Sequence, residues 1–295
     1  LQLLPEFQLS PELKTFAAVR GIRSRRWIEA LSMDAAKPAL ACDSVLWAPL
    51  TLGDEEALAF AVVRDEQSAW PRARHGELGL EAALALAACV RSAVDSGKAL
   101  VAIVDTAGQA LGRAEEVACL SAACAAAVEA YAVARSAGCP VLTLVVGGAF
   151  SGAFLAHGLQ TDAVLALDDG DVSMQAMTAR SIARITRRTL AEVERTAAEV
   201  VPMSYAIRDA WRLGIVDELL DGVRADEPTR EDVICVRAAL TARLQGIRAQ
   251  QANGAVTPRN ALRENSLRDN PLRAATVRVQ DLMREQWRAA DAVII

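Results

Sequence analysis

The sequence predicts a globular α/β protein built around a largely parallel sheet. Three observations carry that expectation. Short apolar runs recur at Ala99–Asp105 (ALVAIVD), Val141–Val146 (VLTLVV) and Ala163–Leu167 (AVLAL), and brief runs of this kind suit strands buried on both faces. Ala-rich helical stretches alternate with them, at Glu77–Ser96 before Gly97 and at Arg113–Ala137 before Gly138 and Pro140, and the strand–helix order implies parallel strands covered by helices. Hydrophobic residues make up 53% and charged residues 23% of the 295-residue chain, which supports a packed core and argues against disorder.

In chain order, residues 1–20 read as an N-terminal extension and Arg23–Leu31 as a short helix. Ser44–Leu50 and Ala57–Val63 read as strands around the turn-like Gly53-Asp54. The loop Trp70–Gly76 carries Pro71, Arg72, Arg74 and His75. After the strand at Val141–Val146, Gly147–Phe150 reads as a turn, Ser151–Leu159 as a short helix and Asp171–Ala176 as a fourth strand. Helices are expected at Thr178–Arg187, Thr189–Glu199 and Tyr205–Leu213, a last strand at Ile215–Leu219, and a helix at Glu231–Ala249. The main domain is therefore placed at residues 21–245, followed by a polar linker over 246–271. Residues 272–295 are expected to form an amphipathic helix, because Leu272, Ala275, Val279, Leu282, Met283 and Trp287 fall near one face.

Composition narrows the function classes. A net charge of −5 disfavours broad nucleic-acid binding. The six cysteines sit mostly in apolar runs and none forms a C-x-x-C pair, so they read as reduced, buried thiols of a cytoplasmic protein. Residues 1–13 lack a basic start and carry Pro5 and Pro11, unlike a signal peptide. The apolar stretch Val141–Ala156 is interrupted by Gly147-Gly148 and is too short to span a membrane. His75 and His157 have no partner at ligand spacing, so a protein-held metal is not expected. Ser151 lies in A-F-S-G-A, which lacks both glycines of a nucleophile elbow.

What the sequence does offer is two strand-to-helix turns, Asp105–Glu116 (DTAGQALGRAEE) and Gly147–Phe154 (GGAFSGAF). Each starts a helix, where unpaired backbone N–H groups can hold a carboxylate, a phosphate or the oxyanion of a thioester enolate. Glycine at such turns is usually explained by sterics alone. Ser151 reads as either a substrate contact or a helix N-cap. Gly108, Gln109, Gly112 and Arg113 read as either substrate contacts or the entry to the following helix. Arg180, Arg184, Arg187 and Arg188 read as a solvated helix face or as a basic site for an acidic partner. His157 is expected to be buried in packing and Asp105 to form a turn, and His75, in a loop with Arg72 and Arg74, reads as a plain loop residue or as one that faces the partner or substrate.

Four blocks occur in order: PRARHGELGLEAAL (71–84), LVAIVDTAGQALGRAEE (100–116), VLTLVVGGAFSGAFLAHGLQTDAVLALDD (141–169) and ARSIARITRRTLAEVERTAAEVVPMSYAI (179–207). Together they resemble the gamma subunit of biotin-independent malonate decarboxylase. That family is similar to biotin-dependent carboxyltransferases, whose crotonase-like fold stacks ββα units. Asp105–Gly112 corresponds to the wider family's D-x-P-G-x-x-x-G, and Ser151-Gly152-Ala153-Phe154 to its G-G-A-Y turn. The resemblance implies a carboxy-lyase subunit that works with a beta subunit. The substrate would be a malonyl thioester on the prosthetic arm of an acyl-carrier protein, with no biotin and no cofactor bound by this chain. The Gly152 and Ala153 amides would then stabilise the enolate, with Ser151, Gly108, Gln109, Gly112 and Arg113 contacting substrate. Ala107 replaces the family proline, Ser151 replaces a glycine, and Gln175 stands where the family has His, so protonation of the enolate would need another donor. Two alternatives remain open at this level: a scaffold that only docks the beta subunit, and a crotonase-type acyl-CoA hydratase or isomerase. The second would be expected to carry a Glu within Ser151–Gln160, and none is present.

Overall fold

A computed structural model describes residues 21–32, 35–39 and 42–255, with isolated positions beyond. The expected N-terminal extension, most of the expected linker after residue 255 and nearly all of the C-terminal helix lie outside the described residues. The chain divides into two units, Leu1–Arg248 and Ala249–Ile295. The sheet and the candidate site described below belong to the first.

Helix α1 (Ile22–Leu31) precedes strands β1 (Lys37–Ala39), β2 (Cys42–Leu52) and β3 (Glu55–Val62). Then come α2 (Leu80–Val94), β4 (Ala99–Thr106), α3 (Arg113–Val117), α4 (Leu120–Ser136), β5 (Val141–Phe150) and α5 (Ser151–His157). The remainder is β6 (Ala163–Leu167), β7 (Ser173–Gln175), α6 (Ala179–Thr186), α7 (Leu190–Glu199), α8 (Ile207–Arg212), β8 (Glu218–Leu220) and α9 (Arg230–Ala252). The sheet has eight strands in the order β1-β2-β3-β4-β5-β6-β8, with β7 paired to the far end of β5. The β1–β2 and β2–β3 pairs are antiparallel, whereas every pair from β3 onward is parallel.

Burial follows from the sequence pattern. Every residue of β4 and β5 is buried, as expected for parallel strands with helices on both faces. Successive side chains alternate between two cores. Val101 and Ile103 pack with Trp27 and Ile28 of α1 and Val236 and Leu240 of α9. Leu100 and Ala102 pack with Leu86 and Val90 of α2 and Ala127 and Tyr131 of α4. The alanines of α2 and α4 let these helices approach each other and the sheet closely. Trp27 is fully buried and its indole N–H donates to Ala225 O at 2.9 Å, so its polar edge carries no desolvation penalty.

Four expectations are corrected. The segment Gly147–Phe150 is not a turn but the end of β5, where Gly148, Ala149 and Phe150 pair with Ser173, Met174 and Gln175. The register against β4 shifts between Val104 and Thr106, so β5 bulges through its glycines and continues. The single helix expected over Arg113–Ala137 is two helices, broken where Cys119 adopts a left-handed conformation at φ 62°. Helix α2 starts at Leu80 rather than Glu77, because Leu78 is drawn into a parallel bridge with Gln109. Helix α9 runs on to Ala252, past the end expected at Ala249.

The four arginines expected on one helical face also divide. Arg180 and Arg184 lie on α6, while Arg187 is its left-handed C-cap at φ 56° and Arg188 follows in the connection. Thr178 caps α6 by accepting from Ser181 N, and Thr189 with Glu192 forms a capping box that starts α7.

Candidate functional site

The two sequence-predicted turns meet at the carboxyl ends of β4 and β5, where open α/β sheets bind ligands. Gly108 adopts φ 120°, a conformation open to glycine alone. A side chain there would meet Ser151 Cβ at 3.4 Å and Ser151 Oγ at 3.6 Å. The first loop therefore lies directly over the second turn. Its backbone is held by Leu78 N donating to Gly108 O and Ala110 N donating to Leu78 O, both at 2.9 Å. Arg72 adds a clamp by donating to Leu111 O at 2.7 Å and to Glu77 Oε1 at 3.0 Å.

The structure brings Gly108, Gln109, Ser151 and Gly152 together. The Gly152 N–H donates to Gln109 Oε1 at 2.8 Å, so this expected oxyanion donor is engaged by a side chain of the first loop. A Cβ at position 152 would lie 3.2 Å from both Cδ and Oε1 of Gln109. Glycine at 152 thus makes room for the Gln109 amide. Ser151 is not an N-cap: the N-cap of α5 is Phe150, and no side chain caps it. Ser151 takes a left-handed φ of 55°, and its Oγ donates to Ala176 O at 2.7 Å. That bond helps hold a conformation costing about 1–2 kcal/mol for a residue other than glycine. Ala153, at 1% exposure, turns its methyl into the core beside α2 and α4. Gly112 and Arg113 stand at the entry of α3, where the Glu115 side chain folds against Gly112 Cα and Arg113 is exposed.

Beneath the turn lies a buried carboxylate whose structural role the sequence reading missed. Asp105, 1% exposed, accepts from Gly21 N at 2.7 Å, Arg23 N at 3.2 Å and Gly148 N at 2.9 Å. It ties the start of α1 to the bulge of β5, three residues before Ser151. Burial pushes the carboxyl above the usual carboxylate value, opposed by the three N–H donors and the Arg23 cation. The available signal was an acid closing an otherwise apolar strand, since a buried acid must find donors.

On the other side, Gln175 Nε2 donates to Ser204 O at 2.9 Å and its Oε1 accepts from Ala176 N at 2.8 Å. The side chain is thereby committed to backbone. Among the described residues the buried Tyr205 hydroxyl has no hydrogen-bond partner, and its ring lies 6.4 Å from that of Phe150. His157 is fully enclosed, with Nδ1 2.9 Å from the Tyr131 hydroxyl and Nε2 3.2 Å from Ile103 O. Burial pulls its pKa down to about 4, so the ring is neutral and serves packing. Burial and the cations of Arg64, Arg72 and Arg74 lower the pKa of His75.

Among the described residues no group of three or more His, Cys, Asp or Glu side chains is placed to hold a metal ion. No described helix is long and apolar enough to cross a membrane.

Comparison with known proteins gives a consistent family. The model of the malonate decarboxylase gamma subunit family matches residues 73–287. A Pseudomonas malonate decarboxylase hetero-tetramer, solved in complex with coenzyme A, is similar at 38% identity and a TM-score of 0.75, covering 90% of this chain and 99% of that one. The Pseudomonas MdcD-MdcE hetero-dimer gives 38% identity and a TM-score of 0.74 with the same coverage. The malonyl-S-ACP:biotin-protein carboxyltransferase MADD of Malonomonas rubra is 33% identical over 163 residues, covering 51% of this chain and 56% of its own length. The chain thus spans little more than half of that curated relative. Transcarboxylase 12S shares the fold at 19% identity and a TM-score of 0.57, over 76% of this chain and 42% of that one. On this match and this crotonase-like, carboxyltransferase-type fold, the chain belongs to the malonate decarboxylase gamma subunit family.

Proposed function

We propose that the chain, together with a beta subunit, decarboxylates a malonyl thioester carried on the prosthetic arm of an acyl-carrier protein. The observation that carries this reading is the meeting of the two loops at Gly108–Gln109 and Ser151–Gly152 within a gamma-subunit fold. The bond between the carboxylate and the methylene carbon breaks, and its electron pair moves into the thioester carbonyl. CO₂ leaves, and the enolate carbon takes a proton to give the acetyl thioester. The step needs a hydrogen-bond donor for the developing oxyanion and no nucleophile. The contact between the Gly108–Gln109 loop and the Gly152–Ala153 turn supplies it, with Ser151, Gly112 and Arg113 forming the substrate wall. No biotin and no cofactor of this chain enters the step.

Two observations support the partners. Relatives of known structure at 38% identity include a hetero-dimer and a hetero-tetramer, and α6 buries none of its own residues while leaving Ile185 61% exposed. A surface of that kind suits a covering subunit. The curated relative is named for malonyl-S-ACP, which favours a carrier-bound substrate. Its name also favours one second reading, carboxyl transfer to a biotin protein in place of CO₂ release. Reconstitution separates the two. The chain with its beta subunit should release CO₂ from malonyl-carrier protein without any biotin protein, and neither subunit alone should do so. Turnover that requires a biotin acceptor would favour carboxyl transfer, and turnover by the isolated chain would refute a shared site.

A further inference from the structure

We propose that the side-chain amide of Gln109, anchored by the Gly152 backbone, is the donor that meets the thioester oxygen. The inference rests on the decarboxylase reading above and assigns the chemical group within that site.

Four observations lead there. The Gly152 N–H can only donate, so the Gln109 atom 2.8 Å from it is the acceptor Oε1. The two Nε2–H donors take no part in that bond, and Nε2 lies 3.5 Å from where a Cβ at Gly152 would stand. Among the described residues Nε2 has no acceptor, and Gln109 is only half-buried. The backbone of residues 108–110 is pinned on both sides of Gln109 by the two 2.9 Å bonds to Leu78. Its Cα is thus fixed by the sheet-like bridge rather than by a free loop, and a rigidly based side chain is the kind that can preorganise a site.

Accessibility decides between the side chain and the backbone. A substrate oxygen that is to reach the Gly152 N–H must first displace Oε1 from a well-formed bond. The same oxygen would meet Nε2, which has no acceptor among the described residues, without breaking that bond. Donation by Gly152 into Oε1 also polarises the amide, which strengthens Nε2–H as a donor. A neutral amide suits the task, because it stabilises the enolate oxygen without forming an ion pair that would have to be undone at product release.

The test uses the assembled complex and reads CO₂ release from malonyl-carrier protein. Gln109→Glu keeps the length and the acceptor for Gly152, but replaces the donor by an anion facing the oxyanion. It should lower kcat by about 100-fold or more with assembly intact. Part of the loss should return as pH falls and the new carboxyl regains an O–H, a profile that a purely structural role would not produce. Gln109→Ala should lose about tenfold or less, because the bared Gly152 N–H becomes available in its place. A rise in kcat/KM for Gln109→Ala would overturn the proposal and make Gln109 a plug on the backbone donor. A Gln109→Glu complex that works like the parent would overturn the proposal alone. A parent complex that releases no CO₂ would overturn the decarboxylase reading and this assignment together.

Discussion

Substituting Gly147 by Ala tests how the site is supported from below. A Cβ at 147 would lie 2.5 Å from Asp105 Cγ and 3.0 Å from Asp105 Cβ, and nearer still to Oδ1. The carboxylate cannot step aside freely, since Gly21, Arg23 and Gly148 all donate to it. Forcing it away costs about 1–3 kcal/mol in overpacking. Losing one hydrogen bond to a charged acceptor adds about 1.5–3 kcal/mol. The reduced freedom of the unfolded chain returns only about 0.4–1 kcal/mol. The net expectation is a loss of about 3 kcal/mol, a large part of the roughly 5–15 kcal/mol of a typical domain. Gly170→Ala is the internal control, because nothing lies within 4 Å of its Cβ, and it should be neutral or slightly stabilising. Equilibrium urea unfolding of the two variants reads the difference directly as a shift in midpoint. The double variant Gly147→Ala/Asp105→Ala should cost clearly less than the sum of the single changes, since both act on one contact. Equal stability of Gly147→Ala and Gly170→Ala would refute the packing argument.

Three further outcomes are expected. His157 has its pKa lowered to about 4 from an ordinary 6.5, so the unfolded chain takes up a proton first as pH falls. Stability is therefore lost as pH falls from about 6.5 through about 4, by on the order of 3 kcal/mol, and His157→Gln should flatten that part of the pH–stability curve. Tyr205→Phe removes a buried hydroxyl that has no partner among the described residues, so urea unfolding should show a stability unchanged or raised by up to ~1 kcal/mol; a fall in kcat at unchanged stability would show instead that the hydroxyl serves the substrate. Reversing Arg184 and Arg187 to Glu should raise KM for malonyl-carrier protein by roughly tenfold at low salt and spare a small malonyl thioester, and equal effects on both would show that this surface does not read the carrier.

The α/β class and most elements were legible in the sequence because buried parallel strands leave unbroken apolar runs. Val141–Val146 and Ala163–Leu167 announce themselves in that way. The bulge of β5 was not legible. Gly147-Gly148 looks like a turn, and only the Asp105 carboxylate packed against it explains why a strand carries two glycines there. The same holds for Ser151, where local pattern suggested a cap, whereas the hydroxyl reaches Ala176, 25 residues on. The break at Cys119 was hidden for the opposite reason, since Ala-rich sequence on both sides supports helix throughout. Gln109 and Gly152 were each legible as residues of a loop and a turn. Their bond was not, because it joins positions 43 apart and depends on the two strand ends lying side by side.

The most direct test of the account is Gly152→Val in the assembled complex. A Cβ at 152 would lie 3.2 Å from Gln109 Cδ and Oε1, so a branched side chain there drives the Gln109 amide out and covers the backbone N–H as well. The central claim, that the thioester oxygen is received at the Gln109–Gly152 contact, predicts a complex that still assembles but has kcat lowered by about 100-fold or more. A folded, assembled Gly152→Val complex with near-parental kcat would contradict it and move the oxyanion site to the partner subunit.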